Sequence, residues 1–142
     1  MAANTSPIYT RTPDVQWIES IVTANNTLDL TSGTSYLAFT ADATEGGYVR
    51  EARVKANPAN DTVATVMRFW LNNGSTTGTA ANSALIGELG IPATTASATA
   101  PQPDFVYPLN FAMNAGYKIY VTIGTAPGGS GEFTCAVLGG KY

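Results

Sequence analysis

The chain has 142 residues with a 44% hydrophobic share, enough for one domain with a buried core and too apolar for a disordered segment. Charged residues make up only 12%, about half the usual share, and the net charge is −3, a balance opposed to binding phosphate backbones. Histidine is absent and Cys135 is the single cysteine, which excludes a Ser-His-Asp or Cys-His centre, a His-bearing zinc site and an internal disulfide framework.

Residues 1–14 are polar, with Pro7 and Pro13, and Ile8 and Tyr9 form their one sizeable apolar pair. They read as an N-terminal arm, a docking segment if something holds it and a frayed end otherwise. No signal-peptide pattern opens the chain and no apolar run reaches the length of a membrane span. These features predict a protein made in a cytoplasm without a membrane partner. Residues 15–22 alternate Val15, Trp17, Glu19 and Ile21 against Gln16, Ile18, Ser20 and Val22, and their β-branched content favours a strand over a short helix. A short strand is expected at Leu28 and Leu30, followed by a turn at residues 31–33 and a clear strand over 35–40. Residues 48–56 lose strict alternation around Glu51, where a bulge restores the register. Arg50, Arg53 and Lys55 form the one local basic group here, interrupted by Glu51, and read as a solvated strand face.

The stretch at residues 62–74 is the centre of the pattern. Val63, Thr65, Met67, Phe69 and Leu71 fall on one side, and Ala64, Val66, Arg68, Trp70 and Asn72 on the other. This describes a central strand with one apolar face. The opposite face, with Arg68 and Trp70, is a candidate subunit contact or a surface under a neighbouring loop. Asn72-Asn73-Gly74 ends the strand in a turn. Pairing with the preceding strand makes 48–71 a hairpin on the simplest reading. A strand at residues 83–91 follows, then a low-complexity connection at 92–103, long enough to suggest a loop lying along a neighbouring surface. Residues 104–109 form an edge strand by virtue of Pro108. Residues 110–116 turn, 117–123 form a strong strand, 124–131 read as a Gly-rich hairpin loop, and 132–138 are the last strand, with Cys135 in phase with Phe133 and Val137 as a small buried residue.

About eight strands spaced by turn signals, with no helix, predict an all-β protein. The expected architecture is an antiparallel β-sandwich, jelly-roll-like, with an extended arm at 1–14 and a single domain at 15–142.

No phosphate-binding glycine motif or calcium loop occurs. Carboxylates such as Asp42 and Glu45, or Asp14 and Glu19, read as turn and ion-pair residues before they read as a hydrolytic or cation-binding pair. Trp17, Tyr48, Trp70, Tyr107, Tyr117 and Tyr120 offer either a sugar-stacking platform or, in the more usual role, core and interface residues. No catalytic, cofactor-binding or metal-binding residue is assigned, and the chain reads as a binding protein rather than an enzyme.

Residues 65–97 (TVMRFWLNNGSTTGTAANSALIGELGIPATTAS) and 104–142, with YPLNFAMNAGYKIYVTIGT and a short last strand ending GGKY, resemble small structural proteins of tailed bacteriophages. The shared marks are a strand running into LNNG, the E-x-x-[IV]-P-x-T-T segment at 88–95, and P-L-N…G-Y-K-I-Y-V-T-I-G-T at 108–125. The resemblance implies a jelly-roll-like sandwich on the virion. It implies a capsid decoration (cement) protein, commonly a homotrimer, that binds major capsid proteins on the outer shell. A tail or head-fibre component is the alternative, and a carbohydrate-binding sandwich module a more distant one. Ile8, Tyr9, Arg68 and Trp70 are the expected subunit or capsid contacts.

Overall fold

The computed structural model describes residues 10–142. Eight strands follow one another: β1 (Thr12–Ile21), β2 (Tyr36–Thr40), β3 (Gly47–Ala56), β4 (Thr65–Asn72), β5 (Ser83–Ile91), β6 (Phe105–Met113), β7 (Lys118–Ile123) and β8 (Phe133–Lys141). The one helical element among the described residues is a 3-10 turn at Ala80–Asn82. The strands form two four-stranded sheets, β1-β8-β3-β6 and β2-β7-β4-β5, with every ladder antiparallel. Only β4 and β5 are joined as neighbours in one sheet. Every other connection carries the chain to the opposite sheet, and the resulting order is that of a jelly roll.

Two expected hairpins are therefore arches. β3 and β4 lie in different sheets, and so do β7 and β8. The turn residues at 57–61 and 124–131 break the strands as expected, but turn chemistry is the same whether the chain folds back in plane or climbs about 10 Å to the facing sheet. The expected strand at Leu28 and Leu30 is absent. Those residues are bends, with Leu30 at φ 62° and buried while Leu28 is exposed. Of the expected arm, Thr12, Pro13 and Asp14 belong to β1, paired with Lys141, Gly140 and Gly139. The bulge beside Glu51 is present, as a register shift between Val49 and Glu51 against both neighbours. Asn110 takes a left-handed φ of 52° inside β6 and not at its end, so that strand runs on to Met113. Pro108 does sit on an edge strand, where its missing N–H costs no ladder bond.

The core lies between the sheets and is built from alternating inward residues. Val49, Ala52 and Val54 meet Phe133, Cys135 and Val137 on one side, and Met67, Phe69, Ile119, Val121 and Ile123 on the other. All but Cys135 are aliphatic or aromatic, as close-packed sandwich interiors require. Burial pushes the Cys135 thiol up to about 12, so it stays protonated. Val63, expected in this core, is 44% exposed, because β4 begins only at Thr65.

The two lateral openings of the sandwich are closed differently. At the β1/β2 side, the Gln16 side chain donates to the Thr40 carbonyl at 2.9 Å and accepts from the Thr40 N–H at 2.9 Å. At the β5/β6 side, Tyr107 reaches across from the first sheet. Its ring stacks on Phe69 at 4.8 Å and its hydroxyl donates to the Ile86 carbonyl at 3.1 Å.

Candidate binding faces

Among the described residues, no three His, Cys, Asp or Glu side chains gather as a metal site would need. The carboxylates are engaged one by one. Asp42 Oδ1 accepts from the Thr44 and Glu45 N–H groups at 2.8 and 3.0 Å, which holds its carboxyl below the ordinary value. Glu45 is ion-paired with Arg11, so these two acids build a turn and a surface bridge. Asp29 is held low by Thr31, Asp104 by Lys55, and Glu51 first by Arg53 and then by Arg50. Glu132 is held low by bonds from Ser20 and Asn57.

Arg68 and Trp70 turn away from the main core, on the outer face of the second sheet. Trp70 is 2% exposed and its indole N–H donates to Thr122 Oγ1 at 3.0 Å. Thr122 and Asn72 on the same face are fully buried. Leu30 is buried as well, and like Trp70 it stands outside the main core cluster. The loop carrying Leu30 is tied to β7, the neighbour of β4, by the Asn25 N–H donating to the Ile123 carbonyl at 2.7 Å. Asn25 in turn holds the loop closed through the Ser32 and Thr34 carbonyls, and Gly33, at φ 76°, lies so close that a Cβ would stand 2.8 Å from its side chain. Trp70 is thus consumed by the chain's own packing and is not available as a direct subunit contact. Arg68 is mostly buried too. Its Nε donates to Glu88 Oε1 at 2.8 Å, and its buried Nη1 finds no acceptor among the described residues.

The outer face of the first sheet is different. Cross-strand partners share a face, so the register lines up Trp17, Ala136, Arg53 and Val106 in one row, and Val15, Leu138, Glu51 and Pro108 in the next. Trp17 is 69% exposed, and Val15 and Val106 are 49% and 44% exposed. The charges among them are paired within the face: Glu51 takes Arg53 at 2.8 Å and Arg50 at 3.1 Å, and Asp104 takes Lys55 at 2.9 Å. Of the six aromatics that suggest a platform, only Trp17 is exposed, so they do not assemble one.

Two concavities lie among the described residues. A cleft of about 230 Å³ opens at the β5/β6 edge, lined by Leu71, Ile86, Tyr107, Pro108, Leu109 and Phe111. A shallower one of about 520 Å³ lies among the connecting loops around Asp61 and Gly128. The 92–103 connection closes on its own molecule here. Thr94 and Thr62 exchange both backbone bonds, at 2.9 and 3.1 Å, and the Ala96 N–H donates to Asp61 Oδ1 at 2.6 Å. This part of the connection packs on the chain's own β3–β4 loop, and residues 98–101 are exposed.

Of the four residues expected at a contact, Ile8 and Tyr9 lie outside the described residues, and Arg68 and Trp70 pack within the chain. Trp17, the most exposed aromatic among the described residues, was legible only through its phase. It alternates with Glu19, and a face that carries a lone carboxylate is the face turned to water.

The sequence matches no protein-family model and no curated protein. Solved structures of the VP2 subviral particle of infectious bursal disease virus and of the Gx strain of that virus are similar at 11% and 12% identity, with TM-scores of 0.35 and 0.33. Each alignment covers 97% of this chain, which spans 36% of the length of the chains it matches.

Proposed function

We propose that this is a virion structural protein of the capsid decoration type. It binds the outer surface of a phage capsid and stabilises the shell by bridging major capsid proteins. It associates with copies of itself, as a homotrimer in the state the resemblance suggests. It works by binding alone, with no catalytic step, cofactor, nucleic acid or membrane. The observation that carries this reading is the outer face of the first sheet, an open sheet surface with a 69% exposed tryptophan and internally paired charges. Such a surface is suited to protein contact, since aromatic anchors dominate interface energetics and paired charges cost little to cover. The jelly-roll strand order and the phage-like stretches at 65–97 and 104–142 support the same reading.

The test is co-sedimentation of purified protein with empty particles of the parent phage before and after expansion, followed by a cryo-electron microscopy map. Saturable binding with density spread over the shell supports the proposal. Density confined to the tail or to one vertex replaces it with the tail or head-fibre alternative, and protein that ignores every particle form overturns both. The exposed indole of Trp17 is the one observation favouring a carbohydrate-binding role. A glycan array without hits, and Trp17 fluorescence unmoved by sugars, dispose of it.

A further inference from the structure

The β4–β5 connection opens on a motif that the binding faces leave unused. Asn73-Gly74 is the one asparagine–glycine pair in the sequence. Both residues are exposed, just past the end of β4 at Asn72. We propose that Asn73 is a site of spontaneous deamidation in the folded protein, with water as the co-reactant.

The chemistry is an intramolecular acyl transfer. The Gly74 backbone nitrogen attacks Asn73 Cγ. The N–Cγ bond forms, the Cγ–Nδ2 bond breaks, and Nδ2 leaves as ammonia with the proton that Gly74 gives up. Nucleophile and carbonyl belong to adjacent groups of one chain, so the ring closes with the advantage of proximity. Water then opens the succinimide at either carbonyl and leaves aspartate or isoaspartate. Three features of the fold place the reaction here. Gly74 has a φ of 89°, and a Cβ there would stand 2.8 Å from the Gly116 carbonyl oxygen, so the turn requires the one residue with no side chain to obstruct attack. The Ser75 N–H donates to Asn73 Oδ1 at 3.1 Å, which aims a donor at the oxygen where negative charge develops. Strand pairing ends at Asn72 and Ser83, so the ring breaks no ladder bond. What must open is the bond from the Gly74 N–H to Asn72 Oδ1, at 2.9 Å. The other described asparagines lack this combination. Asn25 and Asn72 are buried, Asn57 precedes Pro58, which has no N–H to give up, and the rest precede residues with a Cβ.

Deamidation adds one negative charge to the net −3 and puts a carboxylate oxygen where Nδ2 donates to Asn82 Oδ1 at 3.3 Å. Asn82 Nδ2 is already given to the Thr76 carbonyl at 2.9 Å. The reaction therefore loosens the 73–82 loop as well as charging it.

The test incubates the full chain in mildly alkaline buffer for a month, with circular dichroism to verify the fold at each sampling. Isoelectric focusing and peptide mass mapping read the product. The expected result is a gain of about one mass unit concentrated at Asn73, with aspartate and isoaspartate both present and an acidic band that co-migrates with Asn73→Asp. A synthetic peptide of residues 70–77 is the reference, and the folded chain should convert within about tenfold of its rate. Asn73→Gln, whose longer side chain must close a larger ring, should lose the band with Tm unchanged. Ser75→Pro, which has no N–H, should slow conversion roughly fivefold or more. Asn73 intact when the peptide is fully converted, conversion spread evenly over other asparagines, or an acidic band that persists in Asn73→Gln overturns the proposal. A Ser75→Pro rate equal to wild type overturns the part given to the Ser75 N–H.

Discussion

Gly87 is the residue whose replacement tests the packing most directly. It has no positive φ, so alanine suits its backbone. Yet a Cβ there would stand 1.8 Å from the Tyr107 hydroxyl oxygen and 2.1 Å from Cζ. The ring cannot yield freely, because it stacks on Phe69 at 4.8 Å with planes 15° apart and donates to the Ile86 carbonyl. Gly87→Ala must expel the ring or strain it. Expulsion forfeits the stack, about 0.5–1.5 kcal/mol, and the hydrogen bond, about 0.5–1.5 kcal/mol. Straining the ring in place costs about 1–3 kcal/mol. The stiffer unfolded chain returns about 0.4–1 kcal/mol. A net loss of about 1–2.5 kcal/mol is expected, a fall in Tm of roughly 4–10 °C for a chain of this size. Differential scanning calorimetry and urea melts give the number, and a double-mutant cycle gives its cause. In a Tyr107→Ala background, Gly87→Ala should cost less than about 0.5 kcal/mol. A single variant as stable as wild type, or a cost undiminished when Tyr107 is gone, would refute the latch at this edge.

Trp70→Phe removes the donor to Thr122 Oγ1, a bond between two buried residues. It should cost about 1–3 kcal/mol in urea melts while leaving the oligomeric state of folded protein unchanged; loss of assembly without loss of stability would show Trp70 to be a partner contact after all. Cys135 should be inert to thiol reagents in the native protein, since its thiol is pushed up to about 12 by burial, and should label only at the rate of unfolding; rapid native-state labelling would contradict the core assignment. Asp29, Asp42, Glu51, Asp104 and Glu132 are all held below their ordinary values of 3.8 for Asp and 4.5 for Glu. Their stabilisation is complete above those values and is lost as pH falls through the lower folded-state values. Tm should therefore decline on acidification from about pH 5 to about pH 2.5, and a flat profile would count against these contacts.

Strand positions were legible because one-sided burial writes a period of two into the chain. β2, β4, β5 and β7 could be read from alternation alone, and β3 with its bulge at Glu51 from an interrupted alternation. Partnership was not legible. Residues 57–61 announce a turn, but their chemistry is indifferent to whether the next strand lies beside β3 or across the sandwich from it. In a jelly roll nearly every connection crosses, so the rule that consecutive strands pair fails at every link except β4–β5. The same indifference hid Leu30. Its apolar spacing from Leu28 looks like a strand, whereas the two side chains part company at a left-handed residue, one buried and one in water.

The two tryptophans show where composition stops and topology takes over. Trp70 is in phase with Arg68 and Asn72, Trp17 with Val15 and Glu19, and each projects from the outer face of its sheet. Trp70 lies on an interior strand, beside a fully buried threonine that accepts its N–H, on a face where a polar indole nitrogen can be buried at little cost. Trp17 lies on the edge strand β1, next to Ala136, and is 69% exposed. On the face expected to bind a partner through Arg68 and Trp70, those two side chains are therefore packed within the chain, while Leu37 and Leu85 in the same row are 46% and 45% exposed. Because the sheets are separate layers, substitutions at Trp17 and Trp70 should act independently, the first on association and the second on stability. Their effects on Tm should add within about 0.5 kcal/mol, and strong coupling between them would mean that the two faces communicate through the core.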